Sequence, residues 1–231
     1  TSDSSNESHD VVPRTEPTEP RNDWIALAAV IGVKTNAELE TATLQFETLM
    51  GSADKAQKHV KGLFEFAKKT PFETKPIIDA SLKLQTFGGA ALNTSKNLKL
   101  VGDAAAATNA GIEEVAFWVG RAYAMIQSGK PFGEAAMRLQ ELAVLSPKAR
   151  DEMEKLQESG ASAEVVFAAL QKELGKFNGA MEKQANTLKG LFSTLSDVVK
   201  LDLGYIFEPL FKTTKKAMSA LIAFADSQAW D

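Results

Sequence analysis

From Trp24 onward, apolar residues recur at spacings of three and four, the period of an amphipathic helix. The pattern opens on WIALAAVIGV, an apolar run too short to cross a bilayer, which takes about 20 residues. Asn36 is placed to cap a helix running to Met50 and closed by Gly51. Within it, Leu44, Phe46 and Thr48 also alternate as a strand would, so ATLQFETLM is compatible with either period. Ser52 caps a segment carrying Ala56, Val60, Leu63, Phe64 and Ala67 on one face, and Pro71 stops it. Thr74 and Pro76 open the next helix, which the pattern ends at Gly88-Gly89. Thr94 caps a segment through the alanine-rich DAAAATNA, ended by Gly111.

Ile112, Val115, Val119, Ala122 and Ile126 then step by three and four, the stripe of a helix packed on another helix, with Gly129 and Pro131 breaking it. Ser146-Pro147 is a cap and first-turn pair for a helix ending at Gly160. After Ser162, with only a partial capping signal, Val166, Leu170, Leu174 and Phe177 keep helical spacing. Met181, Ala185, Leu188, Phe192, Leu195 and Val199 form the longest regular seam. Beyond Gly204 and Pro209, a last helix carries Leu210, Ala217, Leu221 and Phe224. With neither a strand-rich block nor a strict repeat, the expected fold class is all-α: a helical bundle of short helices followed by longer, coiled-coil-like ones. The expected divisions are a helical domain over 23–180 and long amphipathic helices over 181–231.

Composition changes the picture mainly at the front. Residues 1–22 hold Pro13, Pro17 and Pro20 and set five acids against Arg14 and Arg21, with only Val11 and Val12 to bury. Such composition does not offset the entropy of ordering, so this stretch is expected to be a disordered linker or tail. The sequence starts with Thr1 and reads as a piece of a longer reading frame. The formal net charge of −4 argues against a dedicated nucleic-acid binder, whose affinity rests on cationic contacts with phosphate.

Candidate chemistry is sparse. There is no cysteine, hence no disulfide and no thiolate metal site. His9 lies in the linker, and His59 falls on the polar side of its helix. Glu113-Glu114 are adjacent, so they project about 100° apart rather than facing each other, and Glu152 and Glu154 likewise read as a solvated face. Gly88-Gly89 and GKPFGE (129–134) lack the lysine-hydroxyl ending of a phosphate loop. Lys55, Lys58, Lys61, Lys68 and Lys69 form a basic cluster beside Phe64 and Phe66, but helical spacing puts Phe64 in the core. Lys212, Lys215 and Lys216 also read as a solvated face. VAFWVGRAYAMI is interrupted by Arg121, and the amphipathic stretch from Leu191 to Ala225 is punctuated by Lys and Asp, so neither spans a membrane as it stands; the second suits an interfacial helix. No catalytic, cofactor-binding or metal-binding residue is expected.

Several stretches, taken in order, resemble one family. They are FETLMGSADKAQKHVKGLFEFAKKTPFET (46–74), LQTFGGAA (84–91), LKLVGDAAAATN (98–109), VGRAYAMIQSGKPFGEAAMRLQELAVLS (119–146), and ASAEVVFAALQKELGKFNGAMEKQANTLKGLFSTLSDVVK (161–200). This set is similar to a segment on the N-terminal side of tail tape measure proteins of long-tailed bacteriophages and prophages. The recurring elements are a TLxGS turn before a helix, an FAxxTPF helix stop, an LGDAAA helix and a GxMExQxxTLxGLxSxLxD seam.

The resemblance implies a structural role in the virion and no enzymatic one. Tape measure proteins lie in the tail-tube lumen, set tail length while tube subunits polymerise around them in the host cytoplasm, and leave ahead of the DNA on infection. The implied partners are the tail tube protein, tail assembly chaperones and tail-tip or baseplate proteins, with self-association through helices and contact with the host membrane on ejection, and without sequence-specific nucleic acid. The chain is shorter and richer in Gly and Pro than such rulers, which fits one globular part of a larger protein. The alternative expectation is a membrane-active, envelope-penetrating helical module used in DNA ejection.

Overall fold

In the computed structural model the described residues are 23–187, with side-chain surroundings from residue 35 onward, together with a set of positions between 200 and 220. They form an all-α fold: nine α-helices, one 3₁₀ turn and, among the described residues, no strand. Residues 1–22, the expected linker, lie outside the described residues, as does the 181–199 seam beyond Met181 and Ala185.

Helix α1 (Asp23–Met50) runs unbroken through Asn36, which is therefore interior and not a cap. The strand alternative fails on burial: Phe46 and Ala42, one turn apart, are 0% and 3% exposed, whereas Leu44 is 56% exposed. Three β-branched threonines are accommodated because their hydroxyls donate to carbonyls four residues back, Thr41 to Ala37 (2.9 Å), Thr43 to Leu39 (2.8 Å) and Thr48 to Leu44 (2.9 Å). Gly51, at φ +66°, closes the helix with its N–H on Glu47.

Helix α2 (Ala53–Ala67) starts on the Ser52 cap and buries the five residues expected of it, Ala56, Val60, Leu63, Phe64 and Ala67. Helix α3 (Thr74–Leu92) opens at Thr74 as expected, with Glu73 in the preceding capping position. The helix is interrupted at Gly89 (φ +54°, ψ −147°), where Gly88-Gly89 was expected to end it, and a further turn continues beyond the kink to Leu92. Helix α4 (Ser95–Thr108) is capped by Thr94 and ends where Asn109 turns left-handed, so Gly111 instead precedes α5 (Ile112–Gln127).

Helix α6 (Gly133–Glu141) follows the Gly129 turn, and α7 (Pro147–Glu158) starts on Ser146-Pro147. Helix α8 (Ala163–Leu174), a 3₁₀ turn (Gly175–Phe177) and the short α9 (Ala180–Ala185) complete the series.

Helix α5 is the hub. It packs on α3, α4, α6 and α8, and its Ile112, Val115, Val119, Ala122 and Ile126 are all at most 3% exposed. The α3–α5 crossing is close because glycine meets aromatic twice. A Cβ on Gly88 would lie 2.6 Å from the Tyr123 ring, and one on Gly120 would lie 2.5 Å from the Phe87 ring. The α1–α2 hairpin rests on α3, the α7–α8 pair closes the other side through α4 and α5, and α9 packs on α4.

Candidate functional site

Three places gather polar or open chemistry. The first is built around His59, which is half-buried, not on a solvated face as its helix position suggested. Helix α2 turns it between α1 and α3, with the Phe46 ring edge-on at 4.7 Å. Its Nε2 lies 2.8 Å from Ser81 Oγ and 3.1 Å from Asn93 Nδ2. Ser81 Oγ donates to Asn93 Oδ1 (2.9 Å), and Asn93 Nδ2 donates to Gln85 Oε1 (3.1 Å).

Asn93 Nδ2 can only donate, so Nε2 accepts from it when unprotonated and donates to Ser81 Oγ when it carries the ring proton; the tautomer decides which. Ser81 is 0% exposed, so its hydroxyl is not presented to a substrate as a nucleophile's would be. Among the described residues no carboxylate hydrogen-bonds to His59. Burial lowers its pKa, so the neutral ring is the form the fold favours. The network ties α2, α3 and the α3–α4 junction together. A neighbouring hollow of about 220 Å³ is bounded by Lys58, His59, Phe66, Asn93 and Ser95.

The second place is a cleft of about 680 Å³ between α1 and α3. Its floor is apolar, from Ala42, Phe64 and Ile78; its rim carries Glu38, Glu73 and Asp79 against Lys75. Lys75 donates to Asp79 at 2.8 Å, and that hydrogen bond with its charge raises the Lys75 pKa. Lys200 also lines the cleft.

The third joins the end of the described core to its middle. Asp103, 0% exposed, accepts from Lys99 Nζ (2.6 Å) and from the Met181 backbone N–H (3.0 Å). It serves as a borrowed cap for the first turn of α9, whose own preceding residue, Gly179, offers no side chain. Lys99 also donates to Asn178 Oδ1 (3.0 Å). Beside them Gly102 receives the Met181 sulfur, which would lie 2.4 Å from a Cβ placed there.

The other candidates disperse. Lys55, Lys58, Lys61 and Lys69 are exposed, Lys68 pairs with Glu65, and Phe64 is core. Glu113 and Glu114 sit in the first turn of α5, where the helix dipole favours acids. Glu152 is exposed and Glu154 bonds to Arg150. Gly129 is a helix stop at φ +65°. Arg121 pairs with Glu134 (2.7 Å) and, with Arg138, flanks Trp118. Lys212 pairs with Glu208, and Lys215 with Glu40 on α1.

Among the described residues no cluster of metal-ligating side chains occurs, and no helix is long and apolar enough to cross a membrane. No signal in the sequence could join His59 to partners 22 and 34 residues away; only the fold brings them together. No known protein family, curated protein or solved structure matches the chain.

Proposed function

We propose that this chain is a structural segment of a tail tape measure protein of a long-tailed bacteriophage or prophage, with no enzymatic role. In this reading it lies in the tail-tube lumen, takes part in setting tail length, and meets tail tube, assembly-chaperone and tail-tip proteins during assembly in the host cytoplasm.

The observation that carries the reading is where the motif elements of the resemblance lie. LVGDAAAA and GAMEKQ are separated by some 75 residues of chain and touch each other: Gly102 seats the Met181 sulfur, and Asp103 accepts the Met181 N–H at 3.0 Å. The TLxGS turn, Thr48 to Ser52, is the α1–α2 joint, and FAxxTPF, Phe66 to Phe72, is the stop of α2. Elements first grouped by resemblance thus serve as joints of one packed unit, as expected of a motif set selected for architecture and not for catalysis.

The test is tail length. In-frame deletions of helical sequence in the encoding reading frame are expected to shorten tails, seen by electron microscopy, by about 1.5 Å per residue removed. Tails of unchanged length would overturn the ruler reading.

A further inference from the structure

We infer that the cleft between α1 and α3 is a docking groove for the chain's own C-terminal segment, residues 200–220, fastened where Lys215 meets Glu40. The inference goes beyond the tail role proposed above and stands whether or not that role holds.

The groove has an apolar floor under an acidic rim. Ala42, Phe64 and Ile78 form the floor, and Glu38, Glu73 and Asp79 outnumber Lys75 around it. Glu40 lies on the same stretch of α1. A cleft of about 680 Å³ with such a floor is large enough to take several side chains of a helix, and an apolar floor favours being covered.

The complementary surface is on the same chain. Between residues 200 and 216 the sequence carries Lys200, Lys212, Lys215 and Lys216 against Asp202 and Glu208 only. Two of these lysines already mark the docking. Lys200 lines the cleft and Lys215 is ion-paired with Glu40, a contact spanning 175 positions of chain.

The described positions Ile206 and Leu210 are 66% and 44% exposed, so the segment keeps apolar surface outward while Lys215 holds Glu40 and Lys200 lines the cleft. Attraction between exposed rim charges is modest and salt-screened. The clasp is therefore built to open, not to act as a permanent part of the core.

The absence of cysteine makes the test direct, because the two introduced thiols are the only ones in the chain. The full chain carrying Glu40→Cys with Lys215→Cys is oxidised mildly and run without reductant, beside Leu49→Cys with Lys215→Cys. Leu49 is an exposed position on α1 two and a half turns further along. The expected result is a fast-migrating intrachain-linked monomer in the first variant and mostly reduced protein in the second.

A second series uses Thr41→Cys with Lys200→Cys, since both residues line the cleft. Adding Lys215→Glu is expected to slow disulfide formation several-fold, and adding Glu40→Lys as well to restore it. Circular dichroism on each variant confirms that the helices are intact. Equal linking in the Leu49 control, disulfide-linked dimers alone (a second copy in the groove), no linkage at all, or a rate indifferent to the charge swap would each overturn the proposal.

Discussion

His59 acts by staying neutral. Its ring is half-buried, bonded to Ser81 and set against Phe46, and burial lowers its pKa below the ordinary value near 6.5. The sign of the linkage follows. Above the unfolded pKa both states hold a neutral ring and pH has no effect through this group. As pH falls below it, the unfolded chain takes up the proton first, so stability declines until the folded pKa is reached. Urea midpoints of the wild type relative to His59→Gln should therefore separate at pH 7.5 and converge toward pH 5.5. A pH-independent difference would show that ring titration has no part in stability. This residue also marks the limit of the sequence reading. Its spacing suggested a solvated face, because Ser81, Gln85 and Asn93 arrive from another helix and its end. By contrast, Phe64 was legible as core, since its partners Val60 and Ala67 lie on its own helix.

At the scale of elements, helix starts were more legible than helix ends. Ser52, Thr94 and Ser146 cap their helices through local bonds, to the N–H groups of Lys55, Asn97 and Ala149. Helix α6 gave no such signal. Its preceding residue, Phe132, offers no side-chain cap, and its end turns left-handed at Ala143 (φ +57°) where glycine usually sits. There the Val144 N–H reaches back to Leu139 and the Ala143 N–H to Gln140, a Schellman closure forced on an alanine. Ala143→Gly removes a left-handed strain of roughly 1–2 kcal/mol at a backbone-entropy cost of roughly half that. It should stabilise the protein by about 0.5 kcal/mol, read as a higher denaturant midpoint with unchanged slope; a lower midpoint would sink the argument. Asp103 illustrates the opposite blindness. In sequence it is one acid in an alanine-rich helix, yet it caps α9 from 78 positions away. Removing that acceptor leaves the buried Met181 N–H unpartnered, at about 1–3 kcal/mol. Asp103→Ala should therefore free residues 178–187 to limited proteolysis while the α3–α5 crossing keeps its hydrogen-exchange protection. Equal protection of α9 in both proteins would show the cap to be idle.

Across the whole molecule, the pattern of threes and fours was enough to give the all-α class, because a stripe such as Ile112 to Ile126 has no burial partner except other helices. It was not enough to give the arrangement, which is fixed by close approaches that only the fold reveals. Gly88 under Tyr123 and Gly120 under Phe87 draw α3 and α5 together, and that crossing places α5 where α4, α6 and α8 can all use it. Damage at its centre should therefore spread further than damage at its rim. Val119 is 1% exposed, whereas Met137 on α6 is 43% exposed. An aspartate at position 119 would bury a charge with no partner provided for it, a cost of several kcal/mol against a total stability of roughly 5–15 kcal/mol for a domain. Val119→Asp is expected to lose helical circular dichroism and tryptophan burial together, at one midpoint, because the helices share this hub. Met137→Asp should stay within about 0.5 kcal/mol of wild type. If Val119→Asp instead melted in two separated steps, the α1–α2 hairpin and the α7–α8 pair would be independent units, and α5 would not be the element through which the bundle is held as one.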